Sequence, residues 1–419
     1  MAKYNVGDAS SKLDRNQIML IVAANLCYLL DGTTHSIMGP LAPAFASEFG
    51  LSKSELGPIF SANLLGQTVG LLLVPLLQSR ISHRWIIVWC TAAFGILEAA
   101  TGLANSATHL AELRFLTGIG LGGALPSALA LVAENIPPAR RGTAVMILFF
   151  GYGIGQILSG AFASIFPNEH WRDALIFCGA VSLGYAVLAI RFLRYAKPAR
   201  SQPQASRREH GLRTIFSAGM LPGTLALWLV FTSAFSVNYC LTSWLPTLLA
   251  DIGYSPGTAA YAVSAFAFGG VLGTVLVGPI IDRYGSFQTV AMLFGLSGIF
   301  LLIDAAIISS APVFFFLGLT AIAGFFVLGG LGGVNVALVD LYPNAARAIG
   351  AGWAKSVSRL GAILPPVLIG LALDRGLPEM AVIGLLSIPA FVATLAMLWL
   401  VHRYQTRYEP DGLRVEQPQ

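Results

Sequence analysis

Twelve runs of about 20 or more mostly apolar residues follow one another along the chain, and no other feature limits the possible folds so severely. The runs fall at 16–38, 56–78, 85–105, 110–134, 142–166, 172–193, 220–246, 257–281, 287–308, 312–340, 346–371 and 380–401. A helix needs roughly 20 apolar residues to cross the hydrocarbon of a bilayer. Inside it every backbone polar group must be satisfied within the protein, which leaves helices or closed barrels. Only 11% of the residues are charged and 56% are hydrophobic, where a soluble domain carries about a quarter charged. A chain this apolar could not cover its surface in water. The pattern predicts an all-α integral membrane protein with twelve transmembrane helices, spanning a cell (inner) membrane.

The longest polar interruption, Arg194 to Thr214, carries six cations with Pro and Gln between them, the composition of a solvated linker. It divides the chain into residues 1–193, a linker 194–219, and residues 220–419 with a short tail. The formal net charge of +5 sits in the short loops, not on a face that would hold nucleic acid. With the N-terminus inside, the cytoplasmic side carries Lys3, Lys12, Arg15, Arg80, Arg84, Arg140, Arg141, Arg191, the linker cations, Arg283, Arg347, Arg403, Arg407 and Arg414. The other side carries Lys53, Arg172 and Arg375. That asymmetry predicts both termini on the cytoplasmic side.

Slid on itself by 203 residues, the chain places Ser61-Ala62, Gly66, Gly70 and Val74 on Ser264-Ala265, Gly269, Gly273 and Val277. The same shift places Pro43, Glu48, Gly50 and Ser52 on Pro246, Asp251, Gly253 and Ser255. A shift of 206 places Glu134, Pro137 and Arg141 on Asp340, Pro343 and Arg347. Agreement in several corresponding runs predicts two pseudo-symmetric six-helix bundles. Gly66 and Gly70, Gly269 and Gly273, and Gly118, Gly120, Gly122 and Gly123 have the spacing that lets helices approach closely. Cys27, Cys90, Cys178 and Cys240 lie in apolar runs without metal or disulfide spacing. The sequence contains no Walker A loop, no clustered metal ligands and no assembled nucleophile–base pair, so an enzyme is not expected, nor a cofactor. The polar stretch up to Gln17 has no signal-peptide pattern.

Several stretches resemble the aromatic acid:proton symporters of the major facilitator superfamily. Gly278-Pro279-Ile280-Ile281-Asp282-Arg283-Tyr284-Gly285 matches the superfamily's loop pattern, GPxxDRxGRR, and Ser79 to Arg84 is its reduced copy in the first half. Similar too are Arg114 through Gly123, Trp244-Leu245-Pro246-Thr247, and the segment from Tyr342-Pro343 through Gly352-Trp353 to Arg359-Leu360-Gly361. The family's first helix carries Asp-Gly-x-Asp; here it reads Asp31-Gly32-Thr33-Thr34, with one acid. The resemblance implies the major facilitator fold, with a substrate site near the midplane. It implies a monomer that takes up a small organic anion, with protons as the coupling ion.

An ionisable residue inside a bilayer costs about 2.5–3.5 kcal/mol on insertion scales, so each is a functional candidate. Asp31 shares one helix face with Thr34 and His35. A carboxylate moved between an apolar setting and a nearby cation can take up and release a proton. Arg114 can grip a carboxylate with two parallel hydrogen bonds, as a substrate contact, as a partner of Asp31, or in a structural pair with Glu98 or Glu112. Glu112 lies two residues away and faces the other side of that helix. Lys355 and Arg359 lie one turn apart, an arrangement that an anion would stabilise; Arg359 could instead reach the interface. Phe231, Phe235 and Tyr239 recur every four residues, beside Asn238, and would stack on a flat ring or simply pack. Tyr152, Gln156 and Asn335 are further polar groups at suitable depth. Glu134 and Asp340, opposite Arg141 and Arg347, together with Asp282 and Arg283, read as gating charges. The function expected is a proton-coupled importer of an aromatic carboxylate, working by alternating access. The alternatives are an efflux antiporter, disfavoured because Gln156 rather than Pro follows Gly155, and a non-transporting receptor.

Overall fold

The computed structural model describes residues 13–77, 81–166, 168–195, 213–308, 312–343 and 346–404. Among them the regular structure is helical, with no strand. Twelve helical spans are long and apolar enough to cross a membrane. The helices are α1 (Arg15–Ser36), α2 (Met38–Phe49), α3 (Lys53–Leu77), α4 (His83–Thr101), α5 (Ala107–Asn135), α6 (Pro138–Ile165) and α7 (Trp171–Phe192). They continue as α8 (Leu221–Asp251), α9 (Pro256–Tyr284), α10 (Ser286–Ile307), α11 (Val313–Leu341), α12 (Arg347–Asp374), α13 (Glu379–Leu385) and α14 (Ser387–Tyr404). The expected all-α membrane fold is borne out. Most of the linker and the tail from residue 405 lie outside the described residues.

Two spans differ from their expected form. The first runs Arg15–Phe49, well past residue 38, and is interrupted at Ile37 between α1 and α2. The last is interrupted at Leu386 between α13 and α14. Proline explains both. A proline has no N–H for the carbonyl four residues earlier, so Pro40 leaves Ser36 without a helical partner and Pro389 does the same to Leu385. The start of α1 is also written locally. The Asp14 side chain accepts from the Gln17 amide at 2.7 Å, and the Gln17 side chain accepts from the Asp14 amide at 3.0 Å, a reciprocal cap.

Packing groups the chain into two compact units. One takes the chain up to Ile37, Ala62–Phe162, and the chain from Glu169 into the linker. Its core joins Cys27, Tyr28, Phe94, Leu121, Leu131 and Tyr185. The Tyr185 hydroxyl donates to the Ala23 carbonyl at 2.6 Å. The other unit takes Met38–Ser61, Ala163–Asn168 and the chain from the linker onward. Phe231, Phe294, Val334 and Met397 belong to its core.

The internal repeat survives as packing. A Cβ at Gly66 would strike the carbonyl of Phe115, and one at Gly70 that of Ile119. In the second copy a Cβ at Gly269 would strike the carbonyl of Ala321, and one at Gly273 that of Phe325. Gly118 against Asn63 has its counterpart in Gly324 against Phe266. These are the same contacts moved by 203 residues on α3 and 206 on α5. In lipid, helix association rests on such close backbone packing, because the surrounding tails are as apolar as leucine. The turns repeat as well: Gly50 has φ 62° and Gly253 φ 95°, a conformation L side chains rarely adopt.

Candidate functional site

A buried polar cluster is built on α1, α3, α4, α5 and α6 within the first unit. Arg114 of α5 and Glu98 of α4 are each fully buried and form an ion pair through Nη1 and Oε2. Arg114 Nη2 also donates to the Thr34 carbonyl of α1 at 2.9 Å. Asp31 lies three residues earlier on the same helix, 1% exposed. The Arg114 carbonyl accepts from Asn63 at 3.3 Å. Gln67 donates to Asn63 Oδ1 at 3.3 Å and lies 3.3 Å from His35 Nδ1. Gln156 of α6 donates to the Ser36 hydroxyl at 3.3 Å. Five side chains of the neighbouring helices, Asn63, Gln67, Glu98, Arg114 and Gln156, are thus linked directly or through one another to the last turns of α1, the segment that carries Asp31, Thr34 and His35.

Among the carboxylates considered for Arg114, the structure pairs it with Glu98. Glu112 is exposed while Arg114 is buried, as their angular separation on the helix requires. Arg114 nevertheless touches the helix of Asp31, through a backbone carbonyl. Thr34 and Asp31 are buried and His35 half-buried. Asn63, Gln67 and Ser36 join this cluster without belonging to any of the motifs that mark the other residues. The signal was present, since Asn63 and Gln67 are amides one turn apart in an apolar run.

In the second unit Asn238 and Tyr239 are buried and Phe235 half-buried, with the Phe235 and Tyr239 rings 5.5 Å apart. Phe231 is 1% exposed and packs within the hydrophobic core of this unit. Lys355 is exposed and Arg359 half-buried on α12. Asn335 is exposed, and its amide donates to Leu331 of its own helix at 2.9 Å. Tyr152 is half-buried against the core of the first unit.

The expected oppositions Glu134–Arg141 and Asp340–Arg347 take other partners. Glu134 lies 3.4 Å from His83. Asp340 accepts from the Ser286 hydroxyl at 2.5 Å. Arg347 donates at 3.0 Å to the carbonyls of Val339 and Tyr342, closing the end of α11. His83 and Ser286 are equivalent under the shift of 203, and Glu134 and Asp340 under that of 206, so the repeat keeps the contact and changes its chemistry. Arg141, Asp282 and Arg283 are exposed. Among the described residues no group of three His, Cys, Asp or Glu side chains could hold a metal ion.

Twelve spans with a repeated helix pairing and a buried polar cluster are the plan that many membrane transporters share. The family model of the Major Facilitator Superfamily matches residues 24–303 and 227–417, and the chain belongs to that superfamily. It is 31% identical to the gallate transporter of Pseudomonas putida, covering 91% of each chain. It is 32% identical to the 3-(3-hydroxy-phenyl)propionate transporter of Escherichia coli, covering 93% of this chain and 96% of that one. A 4-hydroxybenzoate transporter of Pseudomonas aeruginosa is 31% identical, over 89% of this chain and 90% of that one. The resemblance to aromatic acid transporters read from the motifs is borne out by these relatives. Among solved structures, a D-xylose–proton symporter superposes with a TM-score of 0.74 at 18% identity, covering 91% of this chain and 97% of that one. That likeness shows the fold.

Proposed function

We propose that the protein is a proton-coupled symporter that imports a small aromatic carboxylate by alternating access. The observation that carries this reading is the set of relatives, which match over most of the chain and are named for gallate, 4-hydroxybenzoate and a hydroxyphenylpropionate. Each is an aromatic ring bearing a carboxylate. The second unit supplies matching chemistry: Lys355 and Arg359 for the carboxylate, Phe235 and Tyr239 for the ring, and Asn238 for a ring hydroxyl. Asp31 carries the proton, and the Arg114–Glu98 pair holds the helix on which Asp31 sits. The protein works as a monomer in the cell (inner) membrane with both termini cytoplasmic.

Uptake of labelled 4-hydroxybenzoate into proteoliposomes tests the reading. The wild type should accumulate it against its gradient when the outside is acid, and only equilibrate when the pH gradient is collapsed. Asp31→Asn keeps the size and hydrogen bonding of the side chain but cannot titrate near neutral pH. It should abolish uphill accumulation and retain exchange of internal for external substrate. Uphill uptake by this variant would remove Asp31 from the mechanism. Uphill uptake by the wild type without a pH gradient would remove the proton.

A further inference from the structure

A second buried acid lies in α10, in a surrounding of another kind. Asp304 is 4% exposed, and Thr320 of α11 is 3% exposed. Both line one small internal pocket. The rest of its wall is apolar, with Leu241 from α8, Phe266 from α9, Phe316 from α11 and Ile383 from α13. No other lining residue is ionisable. Tyr254, whose ring lies 6.0 Å from that of Phe316, commits its hydroxyl to the Ile308 carbonyl at 2.6 Å. Asp304 Oδ1 and Thr320 Oγ1 are both buried without a hydrogen-bond partner among the described residues. Two orphaned oxygens facing one pocket are a built polar site, since buried polar groups are otherwise nearly always paired.

We propose that Asp304 and Thr320 form a proton-binding site, in which Asp304 is held as the neutral acid and one water joins it to the Thr320 hydroxyl. Burying an ionised carboxylate without a counter-ion is far costlier than burying the acid, and among the described residues no cation lines the pocket that Asp304 faces. The neutral acid carries an O–H donor as well as acceptors, so it can bond a water that in turn bonds the threonine. The pocket has the size for a single water. A metal cation fits poorly, because it would need several oxygens and the remaining wall is hydrocarbon. The internal repeat supports the assignment independently. Under the two shifts Thr320 occupies the place of Arg114 and Leu301 that of Glu98, with Asp304 one turn beyond Leu301. The second half therefore keeps an acid near this crossing and has exchanged the arginine for a hydroxyl.

The site concerns the resting protein and does not rest on proton coupling, so its test needs no transport. Infrared difference spectra of the purified full-length protein in lipid nanodiscs, wild type against D304N, read the protonation state directly. At pH ~7, about three units above the ordinary aspartate value of ~3.9, the wild type should show the carbonyl stretch of a protonated carboxyl that D304N lacks. That band should move to higher frequency in T320V, which removes the hydroxyl that anchors the water. A difference spectrum containing only carboxylate bands would overturn the proposal, as would loss of the acid band on adding sodium chloride. Should D304N fail to fold, T320V decides: a shifted acid band supports the site, and an unshifted one overturns it.

Discussion

The crossing of α4 with α5 and its repeat, the crossing of α10 with α11, share one helix plan and differ in what they bury. In the first, Arg114 and Glu98 form an ion pair closed off from solvent, and the arginine also holds α1. In the second, Thr320 and Leu301 occupy those positions and Asp304 sits one turn along. A duplicated bundle thus retains backbone packing, which depends on small residues at fixed places, and is free to change the polar groups lodged between helices. The half with the paired charges is also the half that carries Asp31. The half without them carries the exposed Lys355 and the half-buried Arg359 on α12.

The largest effect that would test this contrast comes from the ion pair. Removing one partner of a buried pair costs about 3–5 kcal/mol, because the other charge is left uncompensated. Arg114→Ala should therefore lower stability by about that amount, measured as unfolding in detergent. The double change Glu98→Leu with Arg114→Thr copies the second half and removes both charges together. It should be more stable than Arg114→Ala alone, a strongly non-additive result. A double variant as unstable as the sum of the two single losses would mean that the two crossings are not interchangeable scaffolds. Below this in size stands the shared packing. Gly66→Ala and Gly269→Ala each push a methyl into a neighbouring carbonyl, and each should cost about 1–3 kcal/mol. Gly278→Ala on α9 meets no atom within 4 Å and should be neutral or slightly stabilising, as alanine favours the helix. A loss in only one of Gly66→Ala and Gly269→Ala would break the equivalence of the two halves.

Features that depend on one segment were legible in the sequence, and those that depend on the meeting of several were less so. The twelve spans follow from apolar length alone. The glycine contacts follow from spacing and duplication. The partner of Arg114 stood open between Asp31, Glu98 and Glu112, because spacing on one helix fixes direction but not which neighbouring helix lies there. Asp304 is not among the site residues expected from the motifs, although an acid inside the run 287–308 is itself a signal. It belongs to no motif and has no charged neighbour along its own helix face. The break at Ile37 was written in Pro40 but read as the end of a span, since a proline marks an interruption without saying whether the chain turns or continues.

The smallest effect separates the two halves at the turns around Gly50 and Gly253. Helix α9 is capped by its own Ser255, whose hydroxyl accepts from the Thr258 amide at 3.3 Å. Helix α3 begins at the equivalent place, but its first amides, of Lys53 and Ser54, donate at 3.0 Å to the carboxylate of Asp374 at the end of α12. Lys53 Nζ also pairs with Asp251 at the end of α8 at 2.6 Å. That pair is partly exposed, so it adds little beyond the cap. A cap is worth about 0.5–2 kcal/mol, so Asp374→Ala and Ser255→Ala should destabilise by similar small amounts. They should differ in where the loss appears. Hydrogen exchange should quicken over the first turn of α9 alone in Ser255→Ala. In Asp374→Ala it should quicken over the first turn of α3 and the last turn of α12 together, because one carboxylate serves both ends. Quickening confined to α3 would show that Asp374 caps a helix without tying two together, and the two turns would then be alike in function as well as in backbone.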